Sequence, residues 1–69
     1  MRSGRLADTP EQRAYKATAR AFRGFARRHP YGYSPWIDAQ HEGYYRRICE
    51  LADAIRAQGR PVPEGREVI

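Results

Sequence analysis

One cysteine in 69 residues excludes an intrachain disulfide, and Cys49, His29 and His41 lack the paired spacings of a structural zinc site. A reducing cytosol is the expected compartment. No stretch approaches the roughly 20 apolar residues that span a bilayer. The opening residues, Met1 to Asp8, include Arg2 and Arg5 but no apolar run behind them, so no secretory leader is expected. Strand-like alternation, internal repeats and low-complexity tracts are also missing, as is a glycine-rich phosphate loop. These absences point to a soluble, cytoplasmic, all-α chain. At this length the chain makes at most one domain, residues 1–69, with a thin core whose stability draws on a second copy or a partner.

Acidic residues are scarce in one particular place. Residues 10–29 carry Glu11 against Arg13, Lys16, Arg20, Arg23, Arg27 and Arg28, whereas residues 35–58 balance Asp38, Glu42, Glu50 and Asp53 against Arg46, Arg47 and Arg56. The excess positive charge of the chain, +5 in total, therefore lies in its first half. Arg13, Lys16, Arg20, Arg23 and Arg27 recur at spacings of three and four, which on a helix makes one cationic ridge. Tyr15, Thr18, Phe22, Phe25 and Ala26 fall opposite it.

Thr9-Pro10-Glu11-Gln12 reads as a helix start: Thr9 is the N-cap, Pro10 the first helical position, and Gln12 reaches back to form a capping box. The helix, about 10–28, ends before Pro30, which disfavours helical geometry at His29. Gly24 is its weak point, because a mid-helix glycine either admits a close neighbour or has no special role. Residues 29–35, with two prolines and a glycine, read as a chain-reversing loop. Ser34-Pro35 repeats the cap-then-proline signal, and a second helix, about 36–58, follows with Ile37, His41, Tyr44, Ile48, Leu51 and Ile55 as a single apolar seam. Glu42 to Arg46 and Arg46 to Glu50 are expected to pair at i,i+4 on its far side. Gly59 suits a left-handed C-terminal cap, and Pro61 and Pro63 prevent continuation. The tail, residues 59–69, is expected to be extended, with Val62, Val68 and Ile69 available to pack. Together these features predict an antiparallel two-helix hairpin in which Tyr15, Phe22 and Phe25 close on the second helix's seam while the ridge faces outward.

Nothing in the chain calls for catalysis, a cofactor, a metal or a small-molecule substrate. His41 sits on the apolar seam and reads as a hydrogen-bonded core residue rather than a general base. Cys49, on the polar side of the second helix with no histidine at helical spacing, reads as a plain thiol. The acids of the second helix read as a solvated flank. The ridge has a bland reading too, since rows of charge are commonly just solvated faces. Against that, one acid on the helix cannot offset repulsion among five aligned cations, and selection for solubility would mix the signs. An anionic membrane surface would need Phe22 and Phe25 as the inserting face, but the matching second seam already occupies them. A polyanionic partner, most simply RNA phosphates, is therefore expected at Arg13, Lys16, Arg20, Arg23, Arg27 and Arg28. Six such contacts would give a log-log salt slope of about −4 to −5. Tyr31 and Tyr33, with Trp36, read either as a stacking surface for unpaired bases or as a lid over the open end of the hairpin, and Trp36 leans to the lid.

Pro30-Tyr31 followed by Gly43-Tyr44 resembles the ribosome modulation factor family, in which a helix rich in small residues leads to a Pro-Tyr pair and a closing Gly-Trp at the same distance. The likeness spans about Arg13 to Arg47. Tyr44 stands where that family has its last tryptophan, Gln40 replaces the first, His29 replaces the usual Cys or Asn, and Gly24 lies one residue from a family glycine. The resemblance implies a two-helix protein that binds the small ribosomal subunit through ribosomal RNA and promotes dormant, paired ribosomes. Tyr31 and the Gly43-Tyr44 corner would then be hinges, and the arginines of the first helix the RNA contacts. The second helix here runs further past the glycine, a length suited to a homodimer or another partner. The rival class is a protein–protein module that docks on an acidic protein or homodimerises. Helix-turn-helix DNA reading is not supported, because the loop holds two prolines and the second helix is net negative.

Replacing Thr9 with Ala should lower stability by about 1 kcal/mol, measured as a fall in the urea midpoint at unchanged slope.

Overall fold

A computed structural model of the protein describes residues 7–63. It contains two helices, α1 (Pro10–Arg28) and α2 (Pro35–Ala57), joined by a six-residue turn and packed against each other as an all-α hairpin. α2 begins one residue earlier than the sequence predicts, with Pro35 itself in the first turn and the Ser34 hydroxyl accepting from the Ile37 amide.

The N-cap of α1 is as the sequence implies. Thr9 Oγ1 accepts from the Gln12 amide at 3.2 Å and Gln12 Oε1 accepts from the Thr9 amide at 2.9 Å, a reciprocal pair that satisfies two otherwise orphaned donors. At the far end of α2, Gly59 adopts φ 73°, its amide donates to the Arg56 carbonyl, and the Arg60 amide donates to the Ile55 carbonyl. This is a Schellman ending, and it requires a residue without a Cβ penalty at position 59.

Packing follows the predicted faces. Phe25, His41, Leu51, Ala52 and Ile55 are buried, with Ile55 wholly so. Tyr15, Phe22, Ile37, Tyr44 and Ile48 are half-buried around them. At the loop end the core is aromatic: Phe22 stacks on Tyr44 with ring centroids 5.3 Å apart, and Phe25 lies 5.1 Å from His41 and 5.4 Å from Tyr44. His41 is a satisfied core residue. Its Nε2 lies 2.6 Å from the His29 carbonyl, which only accepts, so this nitrogen carries the proton.

The open end is held by polar bonds. Gln12 is buried although polar; beyond its capping role it donates through Nε2 to the Pro61 carbonyl at 3.1 Å and accepts from Arg60 at 3.2 Å. Arg60 also donates to the Ala7 carbonyl, Thr9 to Gln58, and Gln58 to Glu11. The bond from Gln58 is the main cause holding the Glu11 carboxyl below its ordinary value of 4.5. With its folded pKa lowered, Glu11 contributes stability above that ordinary value and loses it as the pH falls through the folded one. The chain after α2 is thus pinned along the start of α1, with Val62 half-buried and Pro63 buried. Val68 and Ile69 lie outside the described residues.

One local expectation needs correction. Glu42 and Glu50 do not pair with Arg46. Among the described residues α2 carries the ion pairs Arg47–Glu50 at 3.8 Å and Arg56–Asp53 at 3.3 Å, while Glu42 accepts from the Tyr31 hydroxyl. At Gly24 a Cβ would meet Arg28 Nη1 at 3.6 Å, ordinary van der Waals contact, so the Arg28 side chain lies back over the glycine without requiring it.

Gln12→Ala removes the bonds to the Thr9 amide, the Pro61 carbonyl and Arg60 at once, leaving Arg60 its bond to the Ala7 carbonyl. Each of these part-buried bonds is worth about 0.5–1.5 kcal/mol, so this variant should lose more stability than Thr9→Ala, and Gln12→Glu should fall between them in the same urea titration.

Candidate functional site

With the aromatic face of α1 turned inward, its cations are turned outward, but unequally. Arg13 and Lys16, at the start of the ridge, are engaged by the segment before the helix. Lys16 Nζ lies 2.8 Å from the Asp8 carboxylate, and Arg13 donates to the Asp8 carbonyl at 2.7 Å. Asp8 partly neutralises this end of the ridge. Such a partner is not visible in helical spacing, because Asp8 lies outside the helix. Further along, Arg20 is exposed and Arg23 half-buried, and Arg27 and Arg28 are both exposed in the last turn. Arg27 and Arg28 thus bring two exposed guanidinium groups to the loop end.

The loop brings aromatic rings to the same end. Tyr33 is 83% and Trp36 82% exposed, and neither makes a ring contact within the described residues. Trp36 is therefore not a lid, contrary to the sequence reading. Its register explains this: one residue before Ile37, it is rotated about 100° out of the apolar seam. Tyr31 behaves differently. Its ring edge meets His41 with centroids 5.5 Å apart, and its hydroxyl donates to Glu42 at 3.3 Å. The negative charge of Glu42, then this hydrogen bond, raises the Tyr31 phenol above its ordinary value of 10.0. Gly32, at φ 90°, makes the turn between these tyrosines, with its amide donating to the Asp38 carboxylate.

Two open grooves flank the hairpin. One, of about 610 Å³, is lined by Phe22, Tyr31, His41, Glu42, Tyr45, Arg46 and Cys49, with Tyr45 65% exposed. The other, about 420 Å³, lies between Thr18 of α1 and Gln40, Gly43, Tyr44 and Arg47 of α2. Sequence reasoning assigned neither. Among the described residues no three His, Cys, Asp or Glu side chains come together as a metal site, and no helix is long and apolar enough to cross a membrane. No protein-family model matches the chain, nor does any curated protein or solved structure.

Glu42→Gln removes the charge that disfavours the tyrosinate, so the Tyr31 phenol should titrate closer to 10.0. Since the raised folded value makes this contact stabilising below the ordinary phenol range and lost as the pH rises through it, the difference between wild type and variant should appear as earlier tyrosinate absorbance in the variant.

Proposed function

We propose that the protein binds RNA, with phosphates along the outward face of α1. Arg20, Arg23, Arg27 and Arg28 are contacts, and Arg13 and Lys16 add to them where a phosphate competes with Asp8. The observation that carries this reading is the concentration of exposed guanidinium groups beside exposed aromatic rings at one end of the hairpin. Solubility alone would intersperse acids among the cations, whereas backbone phosphates reward an unbroken row of positive charge by releasing condensed counterions. Tyr31 and Tyr33 flank that row, although Tyr31 is held by His41 and Glu42 and is less available than Tyr33.

The resemblance of Pro30-Tyr31 and Gly43-Tyr44 to the ribosome modulation factor family supports ribosomal RNA of the small subunit as the target, in the cytoplasm, with an effect on ribosome dormancy. A second reading, a homodimerising or adaptor module, is favoured by one observation: the larger groove beside exposed Tyr45 is an apolar surface with Glu42 and Arg46 at its edge.

Arg20→Glu combined with Arg27→Glu should abolish binding to ribosomal RNA while leaving helix content unchanged by circular dichroism. For the wild type, four phosphate contacts predict a log-log salt slope of about −3 to −4. Unchanged affinity in the double variant, together with a dimer mass in sedimentation equilibrium, would favour the adaptor reading instead.

A further inference from the structure

Trp36, Gln40, Gly43 and Arg47 follow one another on α2 at spacings of four, three and four, which aligns them along a single stripe. The stripe lies outside the apolar seam. It begins at an almost fully exposed indole and runs into the smaller groove, to which α1 adds the Thr18 hydroxyl. Each position offers something different. Trp36 presents a flat π-face. Gln40 presents an amide that can both donate and accept, and Arg47 a guanidinium whose ion pair among the described residues is the long, exposed one with Glu50 at 3.8 Å. Gly43 leaves the middle bare, because a Cβ built there meets nothing within 4 Å. At this position the backbone does not require glycine, since φ is not positive, and a mid-helix glycine costs up to ~1 kcal/mol relative to Ala. Neither tight packing nor conformation accounts for it.

We infer that this flank of α2 is a path for unpaired nucleotides, with one base stacked on Trp36, the chain passing over Gly43 beside Gln40, and a phosphate at Arg47. The inference rests on the reading of the protein as an RNA binder and narrows it from RNA in general to single strands. Bases within a duplex are stacked on one another and cannot offer a face to an indole, whereas unpaired bases stack readily on exposed aromatic rings. The guanidinium of Arg28, lying over Gly24 at the loop end of α1, supplies positive charge near the start of the path.

Trp36 is the sole tryptophan, so the protein carries its own reporter. Titration with single-stranded oligouridylate should quench or shift the indole emission, and an RNA duplex of equal length should bind more weakly and leave the emission unchanged. Trp36→Ala should weaken binding to the single strand by roughly tenfold to a hundredfold without changing the circular dichroism, since the indole is exposed. Gly43→Leu fills the groove and should likewise weaken the single strand while raising the melting temperature, a combination that a purely structural glycine would not produce. Equal affinity for strand and duplex with unchanged emission would overturn the path and leave phosphate binding by α1 standing. Binding of neither probe would overturn both.

Discussion

Too little apolar surface is enclosed by two helices for burial alone to fix their arrangement, and among the described residues only Ile55 is wholly buried. The hairpin depends instead on polar ties at its two ends that are satisfied in a single register. At the open end the Gln12 amide serves the N-cap of α1, the Pro61 carbonyl and Arg60 at once. At the loop end the His41 ring reaches the carbonyl of His29, the residue that ends α1. A buried polar group is favourable only when its partners are in place, so sliding one helix past the other would forfeit both ties together. The aromatic cluster of Phe22, Phe25, His41 and Tyr44 supplies cohesion between these points, while the ties set the alignment.

That alignment governs the electrostatics. Once Phe22 and Phe25 are committed to α2, the α1 cations fall on the helix's other side. Asp8 then offsets the beginning of the row, while Arg27 and Arg28 lie exposed at the loop end. Arg27 and Arg28 also have a local reason for their position, because cations in the last turn of a helix are favoured by its dipole. Arg20 and Arg23 sit mid-helix, where the dipole gives no such benefit.

Much of the fold was legible in short-range sequence signals. Thr9 to Gln12, Ser34-Pro35 and Gly59 mark helix limits by chemistry that operates within a few residues, and the Ile37 to Ile55 spacing reports a buried face directly. What escaped prediction was decided by partners distant in sequence. Nothing near Gln12 announces Pro61 or Arg60, and Glu42 forgoes its expected i,i+4 partner because the loop brings the Tyr31 hydroxyl to it. The candidate site divides the same way. The ridge is visible in the spacing of the arginines, but its partial neutralisation by Asp8 is not. Trp36 is legible in the same way, since the register that puts Ile37 inward turns its neighbour outward, and that register decides its exposure.

An exposed aromatic residue is ordinary when it stands alone, because folded proteins leave much apolar area in contact with water. The loop end of this hairpin is not a case of one such residue. Tyr33 and Trp36 are both left in water by a chain short of core-forming side chains. Burying such a ring yields roughly 25 cal/mol per Å² of apolar area, a large gain for so small a fold. Leaving both rings outside, beside guanidinium groups and next to a helix flank opened by a glycine, gives the fold nothing in return. The arrangement makes physical sense when the missing contact is made by another molecule with flat apolar faces and a negatively charged backbone, and single-stranded nucleic acid combines both.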